Sequence, residues 1–187
     1  MKNILFLLFQ TSFLFVNTSL WAQESKPLCL SQNEKIYYQN IKALAMYAVE
    51  TEKSGISRDT LFEKYIEFDY VLNDTLMTRK QQRLAYFDNL FDIFRRKIDS
   101  MGIENLDAKP LRFYQNHDIY KPFKKGLSKS EPQVLVYFKK ENPKNPLGTL
   151  LFDLNMKKLL AWIFLRQGEN EGFYLTFDLL GNVIQEN

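Results

Sequence analysis

The spacing of apolar residues changes near the middle of this chain, and that change limits the fold more than any other feature of the sequence. Between residues 37 and 98, large apolar residues recur at intervals of three and four, the period of a helix with one buried face. Beyond residue 110, apolar residues form short aromatic and β-branched runs separated by turn-forming residues. A helical half followed by a stranded half predicts an α+β fold, because helices and sheet must bury their apolar faces against each other.

Three helices are predicted in the first half. Ser31 and Glu34 have the spacing of a capping box, and Gly55 suits the position after a last helical turn. A second helix is predicted to begin at Ser57 and to end at Asn73–Asp74. Each carries an apolar stripe on one face, which predicts packing against a common core.

The third helix has the clearest pattern. Thr78 and Gln81 again have capping-box spacing, and Gly102 ends the run. Its stripe consists of Leu84, Phe87, Phe91, Phe94 and Ile98. We interpret this stripe as core rather than as a docking face for a partner, because five large apolar side chains would form a costly exposed patch.

The second half is predicted to form an antiparallel meander. Five runs have strand composition: residues 111–114, 134–138, 147–154, 159–166 and 173–178. Short connecting loops require most neighbouring strands to be antiparallel. The predicted fold is therefore α+β, with about three N-terminal helices packed on a C-terminal antiparallel meander sheet of about five strands. This order of elements resembles the cystatin-like or nuclear-transport-factor-like cone, a fold that implies a curved sheet around a helix and often a pocket at its open end.

Residues 1–22 have the pattern of a cleavable signal peptide. Lys2 is followed by two apolar runs and by no further charged residue before Gln23, and Ala22 suits the residue before the cleavage site. The leader resembles bacterial export signals that are cleaved before glutamine. An uncleaved membrane anchor is the alternative, but polar residues interrupt a segment that is barely long enough to span a bilayer. We therefore expect a periplasmic or extracellular protein.

The rest of the chain has the size and composition of one domain. We predict a flexible mature N-terminus over residues 23–32 and a single α+β domain over residues 33–187. Because 25 basic and 22 acidic side chains nearly balance, we predict no nucleic-acid partner. Cys29 is the single cysteine, so an internal disulfide is excluded and the fold must be stabilised by packing. Its thiol is predicted to be inert or to form an intermolecular disulfide.

The sequence offers few residues for catalysis or metal binding. His117 is the only histidine, which with a single cysteine excludes the usual zinc sites. The acidic pairs Glu67–Asp69 and Asp88–Asp92 lack the spacing of a calcium loop. No cofactor and no metal are predicted. An acid–base pair formed by Asp118 or another aspartate with His117 remains open as an alternative.

Aromatic side chains on the predicted strand 159–166 are the best candidates for ligand binding. Strand alternation would place Leu160, Trp162, Phe164 and Arg166 on one face. The candidate binding residues are therefore Trp162 and Phe164, with Arg166 at the rim. The alternative is a central strand that the chain itself covers on both faces.

We therefore hypothesise a non-enzymatic exported domain that binds a small apolar ligand, a peptide or a protein. One alternative is a cone-fold enzyme with an Asp/His117 pair in a pocket. The other is a structural homodimer that forms through the sheet without a ligand. Contact with a membrane is expected only through the signal peptide.

Overall fold

The computed structural model describes residues 29–124, 127–168 and 170–175, apart from the side chain of Tyr70. It confirms an α+β fold, with helices in the first half followed by an antiparallel sheet. The predicted leader and its cleavage site lie outside the described residues. The α-helices of the described part are α1 (Gln32–Val49), α2 (Thr51–Ser54), α3 (Arg58–Lys64), α4 (Asp69–Leu72) and α5 (Met77–Met101).

Helix α1 begins as its sequence predicts. The Ser31 backbone N–H donates to Glu34 Oε2 at 2.7 Å, and the Glu34 N–H donates to Ser31 Oγ at 3.3 Å, which completes the capping box. The helix begins at Gln32, the last residue of the stretch predicted to be flexible. It ends at Val49, with Glu50 as its C-cap, rather than at Gly55, which instead takes a left-handed conformation after the short α2.

The second predicted helix is split into α3 and α4. Ser57 caps α3 by accepting from the Thr60 N–H at 3.1 Å, as its sequence predicts. The break follows Tyr65, where Ile66 forms a parallel bridge with Leu159. A backbone that pairs with a strand cannot also continue a helix, so this tertiary contact overrides the helical period of the sequence.

The predicted Thr78–Gln81 capping box does not form at the start of helix α5. Another interaction stabilises the first turn instead. The Asp74 carboxylate accepts the Leu76 N–H at 3.0 Å and also binds Arg79 and Arg83. Its hydrogen bond from Arg79 lowers the pKa of Asp74 to about 2. The capping-box prediction was wrong because Asp74, upstream of the helix, already accepts a backbone hydrogen bond and binds two arginines of the first turns.

The apolar face of α5 is core, as predicted. The helix ends at Gly102, whose φ of 78° favours glycine. Four of the five residues of the predicted stripe are buried: Phe87, Phe91, Phe94 and Ile98. They pack with α1 and α3 in a helix-side core beneath one face of the sheet.

The sheet is a four-stranded meander of β1 (Leu106–Pro110), β2 (Val134–Lys139), β3 (Gly148–Phe152) and β4 (Leu159–Ala161), in that spatial order. All three pairings are antiparallel. Strand β2 is buried on both faces, because alternate residues belong to different clusters. Leu135 and Tyr137 enter the helix-side core, whereas Val134, Val136 and Phe138 enter a second, outer core.

The outer core is covered by irregular structure. Residues predicted as the first strand form a 3₁₀ helix, Leu111–Tyr114, and two further 3₁₀ helices follow, Asp118–Lys124 and Ser128–Gln133. The preceding strand β1 ends at Pro110. Proline has no backbone N–H, so it cannot donate a hydrogen bond to a neighbouring strand. Tyr114, Tyr120 and Phe123 from these turns pack on the outer face of the sheet.

The predicted strand 159–166 leaves the sheet halfway. Strand β4 ends at Ala161, and β5 (Ile163–Gln167) pairs only with β6 (Glu171–Leu175) among the described residues. This hairpin folds over the outer face, where Phe164 and Tyr174 join the outer core. The last predicted strand is thus confirmed as far as residue 175, and its remainder lies outside the described residues. Within the described chain, no helix has both the length and the apolar character needed to cross a bilayer.

Candidate functional site

A cleft of about 650 Å³ opens where α5, the start of β3, the start of β5 and the turn at 117–119 meet. The three candidate binding residues, Trp162, Phe164 and Arg166, all line it, and so do His117 and Asp118. The volume lies within the range of sites for small molecules. The structure therefore brings together every residue that the sequence singles out for binding, as well as the possible acid–base pair.

The floor of the cleft is aromatic. The Trp162 ring stacks against Phe94 with centroids 6.2 Å apart, and Phe94 contacts the Tyr137 ring edge-on at 5.9 Å. Burial raises the pKa of Tyr137 to about 12, so its hydroxyl keeps its proton. Gly148 makes room for this ring, since a Cβ there would lie 2.8 Å from Tyr137 Cε1. The floor is therefore closely packed and largely apolar.

Two aliphatic side chains stand at the mouth of the cleft. Ile93 on α5 is 47% exposed and Leu147, just before β3, is 38% exposed. Both line the cleft, so a ligand that enters it would cover apolar surface now in contact with water. Phe164 forms part of the opposite wall and is held by Phe123, which stacks on it at 5.5 Å.

The rim of the cleft is polar. Arg166 Nη2 donates to the Asp118 carbonyl oxygen, which ties the β5–β6 hairpin to the turn at 117–119. The Asp118 carboxylate pairs with Lys121 Nζ at 3.0 Å, and this contact lowers the pKa of Asp118. His117 Nδ1 accepts the Ile119 N–H at 3.0 Å, so the neutral ring carries its hydrogen on Nε2. The ring can therefore offer a ligand a single N–H donor.

A buried pair of hydroxyls lies behind the inner wall. Thr149 lines the cleft and is 2% exposed, and its Oγ1 neighbours the Tyr174 hydroxyl across β3 and β6. Neither hydroxyl makes a hydrogen bond among the described residues. Burial raises the pKa of Tyr174, so its hydroxyl keeps its proton. Thr149 thus places one polar group within an otherwise apolar wall.

Trp162 and Phe164 both line the cleft, but strand alternation does not predict how each side chain comes to lie there. The strand breaks at Trp162, whose ring joins the helix-side core, whereas Leu160 and Phe164 pack in the outer core. The flat apolar face on which the homodimer alternative depends is therefore not formed by these three residues. They pack on opposite sides of the sheet.

The side chains of the acidic pairs of the sequence already contact basic groups. Lys158 Nζ lies 3.8 Å from Glu67 and 3.4 Å from Asp69, between strand β4 and helix α4. Asp88 pairs with Arg58, and Asp92 pairs with Arg95 and Arg96. The described residues include no cluster of three His, Cys, Asp or Glu side chains that could hold a metal ion.

Sequence reasoning missed the helix and loop residues of the cleft. Of these residues, only Ile93 could be recognised from the sequence. It is a large apolar residue outside the buried stripe of α5, and it stands between Asp92 and the pair Phe94–Arg95. Leu147 and Thr149 carry no such signal in the sequence, because their position in the cleft depends on how the hairpin folds back over β3. Local sequence does not encode that contact.

No protein-family model, no curated protein and no solved structure matches this chain. The described residues form no closed barrel. The resemblance to a cystatin-like or nuclear-transport-factor-like cone has no support from these comparisons and stays a prediction. Function can therefore be inferred only from the residues of the cleft and from the chemistry that they offer.

Proposed function

We propose that this chain is an exported, non-catalytic binding domain that holds a small apolar ligand in the cleft over Trp162. The observation that carries the proposal is the pairing of an aromatic floor with exposed Ile93 and Leu147 at the mouth. Large aliphatic side chains that line a concave surface are typical of ligand sites, whereas scattered exposed ones are not informative. The leader over residues 1–22 supports an extracytoplasmic location.

The polar rim supports binding over acid–base catalysis. An Asp that is to donate a proton near neutral pH needs a raised pKa, but the contact with Lys121 lowers the pKa of Asp118. His117 Nδ1 is engaged by a backbone N–H rather than by a carboxylate, so Asp118 does not orient the ring. These groups can instead fix the orientation of a bound ligand through hydrogen bonds.

The expected affinity is modest. A ligand that buries about 200 Å² of apolar surface gains about 5 kcal/mol at 25 cal/mol per Å². Because lost translational and rotational freedom opposes this gain, apolar contact alone is expected to give a Kd of about 1 mM or weaker. Hydrogen bonds from Arg166 or His117 would tighten binding from this level.

The chain offers a site-specific reporter. It contains two tryptophans, Trp21 in the leader and Trp162 in the cleft, so a Trp21→Phe protein emits tryptophan fluorescence from the cleft alone. Anilinonaphthalenesulfonate, an apolar aromatic anion, serves as the probe. We expect a saturable titration with energy transfer from Trp162 to the bound probe.

Two exposed positions on α5 provide the variant and its control. Ile93→Asn should weaken binding about fivefold, since a half-buried aliphatic contact is worth about 1 kcal/mol. Tyr86→Asn changes a side chain of matching exposure, 49% against 47%, that does not line the cleft. It should leave the affinity unchanged. Equal affinities of the Ile93→Asn and Tyr86→Asn proteins, or no saturable change in Trp162 emission, would refute the proposal.

A further inference from the structure

A second cavity, of about 800 Å³, lies beside the cleft and is basic. We call it the basic groove. Its cationic lining comes from Lys109 on β1, Arg112 in the following 3₁₀ turn and Lys144 in the loop before β3. Phe113, 48% exposed, lies in the same 3₁₀ turn, and Arg112 Cζ lies 4.8 Å from the centre of its ring. Among the residues that the structure describes, no acidic side chain lines the groove.

The cleft and the basic groove share their walls. The His117 ring lines both cavities. On the opposite side, residues 143 and 144 line the groove and residues 145–149 line the cleft, so one continuous loop borders both. At the groove, the Tyr114 hydroxyl donates to the Pro143 carbonyl at 3.0 Å and holds the two walls together. The two cavities therefore meet at His117, and together we call them the depression.

Two ammonium groups of the groove lack a counter-charge. Arg112 is neutralised by the buried Glu34 carboxylate, and its Nη2 also donates to the Cys29 carbonyl at 2.8 Å. Within the described residues, Lys109 and Lys144 form no ion pair, and Lys109 Nζ lies 5.5 Å from the centre of the Phe138 ring. Uncompensated cations in a concave surface attract an anion.

We infer that the cleft and the basic groove form one site for an anionic amphiphile, a molecule with a single acidic head and an unbranched apolar chain. The acidic head binds Lys109 and Lys144, and the chain passes His117 to reach Trp162. Together the cavities exceed the volume that one compact small molecule fills, so a single ligand that occupies both must be elongated. This inference rests on the proposed function, because it assigns the cleft as the apolar end of the site.

The test compares ligands of equal chain length in the full Trp21→Phe protein. Dodecanoate and dodecyl phosphate carry the two acidic heads that fit this chemistry, and dodecanol carries the same chain without a charge. The anions are used below their micelle-forming concentrations and dodecanol below its solubility limit, with Trp162 emission as the readout. We expect both anions to bind at least about fivefold more tightly than dodecanol, as two exposed charge pairs allow. The tighter of the two anions identifies the head group.

Charge variants locate the head. Lys109→Gln with Lys144→Gln should abolish the advantage of the anions and leave the affinity for dodecanol unchanged. Lys64→Gln with Lys129→Gln removes two exposed lysines that line neither cavity, and should change nothing. Circular dichroism of each variant checks that the fold is retained.

The outcomes separate the two proposals. If dodecanol and the anions bind with equal affinity, or if both lysine pairs have the same effect, the inference is wrong while the cleft remains a binding site. If none of the ligands or anilinonaphthalenesulfonate changes Trp162 emission, the proposed function itself fails. If light scattering shows a dimer whose formation excludes dodecanoate, a second copy occupies the depression and the inference is also wrong.

Discussion

Replacing Phe87 by alanine should remove a large part of the stability of this domain. The Phe87 side chain is 3% exposed, so it gains almost the full free energy of transfer from water. Its ring lies 5.0 Å from Phe62, 5.0 Å from Phe68, 5.5 Å from Phe91 and 5.7 Å from Trp162. It therefore joins α3, α5 and the end of the sheet in one cluster.

The magnitude follows from those contacts. Phe→Ala substitutions in cores cost about 3–5 kcal/mol, because the lost transfer free energy adds to the cost of the cavity. Four ring neighbours leave little freedom for the site to collapse, so we expect about 4 kcal/mol. A domain of this size is stable by about 5–15 kcal/mol, so the variant should still fold in water.

Urea unfolding followed by circular dichroism measures the effect. With an m value of about 2 kcal/mol per M, the midpoint of Phe87→Ala should fall by about 2 M. Tyr86→Ala on the same helix is the control, because its side chain is 49% exposed and its loss should cost within about 0.5 kcal/mol. A Phe87→Ala protein within about 1 kcal/mol of this control would refute the packing described for α5.

The remaining predictions concern the start of α5 and the floor of the cleft. Because the folded pKa of Asp74 is lowered to about 2 from 3.8, its ionised form contributes stability above about pH 4 that is lost as the pH falls towards 2. Asp74→Asn should therefore lower the unfolding midpoint at neutral pH, and the gap to the parent protein should close between pH 4 and 2; a gap that stays constant across this range would contradict the ion pairs. Gly148→Ala should cost about 1–3 kcal/mol, since its Cβ would displace the Tyr137 ring. It should also weaken binding of anilinonaphthalenesulfonate, and a variant with parental stability and affinity would show that the floor is not tightly packed.

Where local signals act alone, the sequence predicts the helices correctly. The capping box of Ser31 and Glu34 and the N-cap at Ser57 form as expected, because each needs only residues within one turn. The buried stripe of α5 is likewise predictable, since apolar residues spaced by three and four indicate a helix rather than any other element. These features carry the α+β assignment.

Tertiary contacts explain most of the differences. The bridge of Ile66 to Leu159 breaks the second predicted helix, and Asp74 replaces the predicted cap of α5. The chain turns out of the sheet at Trp162 so that Phe164 can cover the outer core. The Ile66–Leu159 bridge and the turn at Trp162 lie beyond the reach of a local pattern, because each depends on the completed sheet, whereas the Asp74 cap is a local contact with Leu76 and Arg79.

The candidate site was predictable in part. Trp162, Phe164 and Arg166 were accessible to sequence reasoning because both faces of their strand are apolar. The basic groove was not, since Lys109, Arg112 and Lys144 are scattered along the chain and meet only when the loop before β3 folds against the turn after β1. Nor could the sequence indicate that this groove continues into the cleft past His117.

The most direct test of the account is a crystal structure of the protein bound to dodecanoate. The account predicts one molecule whose alkyl chain lies against Trp162 between Ile93 and Leu147, with its carboxylate next to Lys109 and Lys144. A structure in which Ile93 and Leu147 cover the Trp162 ring with no ligand between them, or in which dodecanoate binds elsewhere on the surface, would contradict it.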